Sequence, residues 1–196
     1  MRAVFFDLSG VLFSNGTACL LEEMARGRSG GANKLKEILS GPQSWALRRG
    51  EIEPTAFWNA VADVIERETG LNVAAFRMRW LQSFTPQEGM HELLADLAAR
   101  GHPLGIIAET PGERVAALEE RFPWLALAER RFWSFETGLD KRDGALFRYA
   151  MDRLGPFAEP PMMVEDEQAA ARHARKAGFN AVIFHSAQTL RRDYFS

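Results

Sequence analysis

A chain of 196 residues, 46% of them hydrophobic, can bury its own core, and a formal charge of −2 gives no electrostatic case for nucleic acid or a membrane surface. The single cysteine, Cys19, excludes an intrachain disulfide and fits a reducing compartment, so a cytoplasmic setting is expected. The first apolar run is broken at Asp7, too early for a signal peptide, and no stretch approaches the ~20 apolar residues that span a bilayer.

The run AVFF (3–6) predicts a buried strand that ends on Asp7, with Ser9 and Gly10 just beyond it. From Leu12 to Phe84 there is no convincing strand, only helical patterns over 55–70 and 72–84, with Phe57, Trp45, Trp58 and Trp80 expected in their shared core. Thr85, Pro86 and Glu88 then have the spacing of an N-cap, a first-turn proline and a capping box, for a helix that stops at Gly101. LGIIA (104–108) predicts a second strand, and Thr110, Pro111 and Glu113 repeat the capping device for the next helix. A strand over 131–135, a helix from Asp143 to Gly155 and a strand over 162–164 follow, the last after the turn at 156–161. A helix from near Asp166 to Gly178 has Ala170, Ala174 and Ala177 spaced to face a sheet, and AVIF (181–184) is the final strand. Strands alternating with helices of ten or more residues imply βαβ units. The expected architecture is therefore an α/β, Rossmann-like parallel sheet of about five strands flanked by helices. Its core is 1–13 plus 86–196, and a small all-helical subdomain, 14–85, is inserted after strand 1.

Ligands of open parallel sheets bind beyond the carboxyl ends of the strands. Those ends deliver Asp7, then Ala108-Glu109-Thr110, then a loop carrying Asp140, Lys141 and Asp143, then Glu165-Asp166-Glu167. Carboxylates so gathered repel one another unless a cation neutralises them, and Mg²⁺ takes one or two carboxylates together with waters and phosphate oxygens. His91, His102, His173 and His185 have no metal-ligand spacing and read as surface or packing residues. Arg48 and Arg49 either face the mouth of the site and bind an anionic substrate, or form a solvated turn.

VFFDLSGVLF, LGIIAET, Lys141 within TGLDKRDGALFRYAMDRLG, and VEDEQAAARHARKAGFNAVIF together resemble the four ordered motifs of the haloacid dehalogenase (HAD) superfamily. The insertion resembles that family's helical cap, and the stretch from Thr137 to Phe184 is the most specific part of the match. The resemblance implies Asp7 as a nucleophile that forms an aspartyl-phosphate from a small phosphorylated metabolite. It implies Mg²⁺ held by Asp7, the backbone carbonyl of Ser9 and Asp166, with Glu165 beside them. It also implies that Lys141 holds the nucleophile and phosphoryl oxygens, and that Gly10 permits the turn after the strand.

The sequence departs from the family pattern in three places. Ser9 stands where phosphatases of the family carry an aspartate that protonates the leaving oxygen, a function typically worth ~10²–10⁴-fold. Ala108 and Glu109 replace the usual hydroxyl and its neighbour, which removes a phosphate donor and adds negative charge; Thr110 either substitutes for that donor or only caps its helix. Arg142 in the lysine loop is either a loop variation or an added anion contact. The expected function is a Mg²⁺-dependent phosphatase with weakened acid–base catalysis. An inactive binding or regulatory protein is the alternative. A 2-haloacid dehalogenase ranks third, because such members need no metal and lack an acidic pair like Glu165-Asp166. Neither a nucleic-acid nor a membrane partner is expected, and the oligomeric state is not legible.

Overall fold

The computed structural model describes residues 1–25, 31–156 and 158–195; residues 26–30, within the expected helical subdomain, and 157, in the turn at 156–161, lie outside the described residues. Five parallel strands form one sheet: β1 (Val4–Phe6), β2 (Leu104–Ala108), β3 (Arg130–Trp133), β4 (Met162–Glu165) and β5 (Asn180–Ile183), in the order β3-β2-β1-β4-β5. β1 is central, with Val4 opposite both Leu104 and Met162. Side chains alternate across it. Val4 and Phe6 join one apolar cluster with Leu93, Leu94 and Leu97 of α6 (Met90–Ala99), Leu118 of α7 (Gly112–Arg121) and Leu190 of α11 (Ala187–Tyr194). Phe5 joins the other, with Phe147 and Ala150 of α9 (Ala145–Leu154) and Ala171 and Ala174 of α10 (Gln168–Lys176). The result is a Rossmann-type α/β layer arrangement, as the strand–helix alternation predicts. β3 ends two residues early because Ser134 opens the short helix α8 (Ser134–Thr137).

Between β1 and α6 the described residues form five helices: α1 (Gly16–Ala25), α2 (Gly31–Ser40), α3 (Pro42–Arg48), α4 (Pro54–Thr69) and α5 (Val73–Gln82). Their apolar cluster is separate from both sheet faces and includes Leu35, Leu39, Phe57, Trp58, Ile65, Phe76 and Trp80. Trp45 is not in it; this half-buried ring lies under the guanidinium of Arg142 at 3.8 Å.

Two predicted caps are overruled by tertiary pairing. Thr85 does not start a helix: Ser14 N–H donates to its carbonyl at 2.8 Å, and Gln87 N–H donates to Leu12 at 2.9 Å. Pro86 bridges Phe13 in an antiparallel contact, so residues 85–87 clasp 12–14 and α6 begins only after Gly89. Thr110 is likewise one residue too early, because Pro111 is the N-cap of α7. Thr110 donates its N–H to Ser134 Oγ at 3.0 Å, and its own buried hydroxyl has no partner. Asp143 lies just outside α9, accepting from Ala145 N–H at 2.8 Å with Gly144 as N-cap. α10 starts after Glu167, which leaves the Asp166 carboxylate off the helix end.

Candidate active site

The register explains how the acids meet. Phe6 pairs with Val164, so the next residues along, Asp7 and Glu165, emerge side by side at the carboxyl edge of the sheet. Asp7 N–H donates to the Val164 carbonyl at 2.9 Å, fixing the end of β1. The loop that follows turns sharply: Phe13 N–H returns to the Leu8 carbonyl at 2.8 Å, and Gly10 N–H donates to the Phe13 carbonyl at 2.7 Å. Gly10 has φ +89°, and a Cβ there would stand 1.9 Å from Asp166 Oδ2. Glycine is required on both counts. Gly10→Ala is therefore expected to displace the Asp166 carboxylate and remove any Mg²⁺-dependent rise in Tm, which differential scanning fluorimetry with and without the metal would show.

Lys141 reaches this edge from the loop between α8 and α9. Its Nζ lies 2.9 Å from Asp7 Oδ1 and 2.6 Å from Glu165 Oε1. Its backbone N–H donates to Glu109 Oε1, so the carboxylate that follows Ala108 anchors the lysine loop. Burial alone would lower the Lys141 ammonium, but Asp7 and Glu165 outweigh it and hold the lysine charged well above its ordinary range. Glu165 is fully buried and its Oε2 has no partner; burial first, and then Asp7, push it well above the carboxylate range against the pull of Lys141. Partial burial of the Asp166 carboxyl, followed by the charge of Asp7, raises it to about 6. Burial also raises Glu109.

One oxygen from each of Asp7, Glu165 and Asp166 lies within 4.8 Å of the other two, with a single lysine among them. Three carboxylates, one buried oxygen without a partner and one compensating cation form a donor set that fits a hard divalent ion such as Mg²⁺. These groups line a cavity of about 460 Å³ together with Ser9, Glu109, Arg142, Thr17, Trp45, Arg48, Arg114 and His173.

A family model described as haloacid dehalogenase-like hydrolase matches residues 1–178. The chain belongs to that family. No curated protein matches it. Among solved structures it is similar to the HAD family enzyme BT-2542 of Bacteroides thetaiotaomicron, at 14% identity and TM-score 0.77, covering 100% of this chain and 99% of that one. The complex of wild-type BT-2542 with magnesium and inorganic phosphate aligns at TM-score 0.73 and 16% identity over 95% of each chain. The magnesium-bound HAD-hydrolase YfnB of Bacillus subtilis aligns at TM-score 0.68 and 15% identity over 97% of each chain. A structure described as a dehalogenase aligns at TM-score 0.68 and 18% identity, covering 98% of this chain and 96% of that one.

Seen against the HAD motifs, the structure brings Asp7, Ser9, Lys141, Glu165, Asp166, Glu109 and Arg142 to one cavity, with Gly10 packed against Asp166. Thr110 does not join them; it is buried behind the lining, so it does not supply the donor that Ala108 lacks. Of the two arginines that the sequence leaves open, Arg48 lines the cavity, while Arg49 pairs with Glu51 at 2.6 Å and Asp140 at 3.4 Å. His173 and Trp45 line it as well; Trp45, expected in the core of the insertion, lies at this cavity instead. Arg114 and Thr17 escaped the sequence reading. Arg114 carried one usable signal, a charged residue at a helix position between Pro111 and Val115 whose neighbours are buried.

Proposed function

We propose that this HAD family member is a Mg²⁺-dependent phosphatase of small phosphorylated compounds that acts through an aspartyl-phosphate on Asp7 and favours leaving groups that need no protonation. The observation that carries this reading is the convergence of Asp7, Glu165 and Asp166 oxygens around Lys141 in one cavity. When bound, Mg²⁺ would be held by Asp7, Asp166 and the Ser9 carbonyl, with Glu165 beside them, and would neutralise phosphoryl charge.

The protein's own groups do the rest. Leu8 N–H and Lys141 Nζ both hold Asp7 Oδ1, at 2.8 and 2.9 Å, so the carboxylate is fixed in orientation and its other oxygen is left to attack phosphorus. As the new O–P bond forms, the bond to the leaving oxygen breaks. Lys141, kept charged by Asp7 and Glu165, stabilises the equatorial oxygens as a point charge. Ser9 lines the cavity where a family aspartate would deliver a proton, and a hydroxyl does not do so near neutral pH. Acyl and aryl phosphates release stable anions and escape this handicap, whereas alkyl phosphates do not. The helical insertion closes the other side of the cavity with Thr17, Trp45 and Arg48 and acts as the cap that selects substrate.

The test is a phosphate panel with Mg²⁺. Acyl or aryl phosphates should be turned over far faster than alkyl phosphates; equal rates on the two classes would sink the leaving-group argument. Ser9 and the buried, apolar Ala108 also favour a second reading, a HAD-fold protein that binds an anion without turning it over. Inertness toward the whole panel by both wild type and Ser9→Asp would favour it. Halide release from a 2-haloacid, unaffected by a chelator, would instead support dehalogenation.

Proton and metal compete for the same oxygens. With Asp166 titrating near 6, Mg²⁺ should raise Tm more above about pH 7 than below about pH 5.5. A metal shift that does not change across that window would remove Asp166 from the metal site.

A further inference from the structure

Arg114, on the first turn of α7, is 2% exposed and lines the same cavity. Its guanidinium packs 3.9 Å from the Trp80 ring and 4.1 Å from the Phe84 ring. Aromatic rings stabilise the charge but accept no directed pair of hydrogen bonds. Among the described residues its buried Nε has no partner, and its Nη2 has only the Thr17 hydroxyl, at 3.4 Å. No carboxylate pairs with it among the described residues, since the neighbouring Glu113 is taken by Trp58 Nε1 at 2.7 Å and Arg77 Nε at 2.6 Å. Burial, and then the charge of Arg48, disfavour the Arg114 cation in the protein alone. Arg48 is likewise without an ion-pair partner: it packs on Trp45 at 4.6 Å and donates only to the Leu39 carbonyl at 3.4 Å. Its backbone is pinned to the core, since Ser134 Oγ donates to the Arg48 carbonyl at 2.6 Å.

A buried charge with no counter-charge and an unmade hydrogen bond is costly. A fold keeps one where a ligand completes it. We propose that the substrate carries a carboxylate in addition to the reacting phosphoryl group, and that Arg114, with Arg48 beside it, binds that carboxylate. The proposal deepens the phosphatase reading and rests on it for the phosphoryl end only. Charge selects a monoanion. Arg48 lies in the field of Glu109 and Asp7, whereas Glu113, the acid whose charge reaches Arg114, is engaged by Trp58 and Arg77, so one further negative charge suits the Arg114 end of the cavity. A planar guanidinium suits a carboxylate through paired N–H donors. Both arginines are held by the architecture: Arg48 on the last turn of α3, Arg114 against two rings from the end of the helical insertion. A cavity of about 460 Å³ suits a small phosphorylated acid.

The test uses two non-hydrolysable probes that differ in the carboxylate, phosphonoacetate and ethylphosphonate, titrated calorimetrically into the Mg²⁺-loaded protein. The wild type should bind phosphonoacetate at least about tenfold more tightly. Arg114→Met, which keeps bulk against Trp80 and Phe84, should bring that ratio near one without weakening ethylphosphonate. Arg114→Lys should retain part of the preference. Equal affinities in the wild type, or an unchanged ratio in Arg114→Met, would overturn the proposal. So would equal weakening of both probes, the result expected of a merely structural arginine. If Arg114→Met does not fold, the wild-type ratio and its reduction in Arg48→Met decide the matter. A carboxylate preference in a protein that turns over no phosphate would keep this subsite and discard the phosphatase reading. Turnover indifferent to the carboxylate would do the reverse.

Discussion

Lys141→Met is expected to abolish turnover and to cost about 3–5 kcal/mol of stability, the range for removing one partner of a buried ion pair. The reason lies in the charge balance. Lys141 is the cation between Asp7 and a fully buried Glu165, and both contacts are within 3 Å, at 2.9 and 2.6 Å. Without it, nothing opposes the rise that burial and Asp7 already impose on Glu165, so its protonated form is favoured further. A buried acid whose folded pKa is raised binds more protons folded than unfolded, so its stability contribution falls as pH rises. The variant should therefore melt higher at mildly acidic pH than at alkaline pH. Lys141→Met combined with Glu165→Gln should recover much of the lost stability and none of the activity. Chemical denaturation across pH checks both parts. A single variant as stable as wild type at every pH would mean that the three groups are not coupled as their distances indicate.

Ser9→Asp is expected to raise kcat on alkyl phosphates by ~10²–10⁴-fold while changing acyl phosphates far less. The substitution restores a proton donor at a position that already lines the cavity and leaves the backbone carbonyl of residue 9 in place. Gain of function is the informative direction, since loss has many causes. A uniform gain on both substrate classes would mean that the aspartate acts by charge and not by proton transfer. No gain on either would point to Ala108 and Glu109, which leave the second motif without a phosphate donor, as the limiting departures.

The fold was legible because its signals were local. Short apolar runs at 3–6, 104–108 and 181–184, the last two each preceded by a helical pattern, mark strands, and their parallel direction follows from the helical connections. Asp7 and the Glu165-Asp166 pair were legible as strand-end residues and Lys141 as part of a loop at the same edge; β1 and β4 are neighbours in register, which carries one acid to the other. What could not be read was set by pairing across distance. The cap signals at Thr85 and Thr110 are sound as local chemistry. They lose to the clasp between 85–87 and 12–14 and to the Ser134 hydroxyl, partners 71 and 24 residues away. Arg114 looks like any helix-face charge until Trp80 and Phe84, far earlier in the chain, are seen beneath it. Trp45 looks like a core residue until Arg142 is found over its ring. Glu109 reads as an electrostatic fault in the sequence and is a support for the lysine loop in the structure.

The central claim is that Asp7 is a phosphoryl acceptor in a site whose acid–base partner is missing. The most direct measurement is mass spectrometry of the Asp7-containing peptide after acid quench of protein mixed with acetyl phosphate. The account predicts a phosphoryl adduct on Asp7 that requires Mg²⁺ and is absent from the Asp7→Asn variant. An unmodified Asp7 in wild type, alongside measurable release of phosphate from the same reagent, would contradict it.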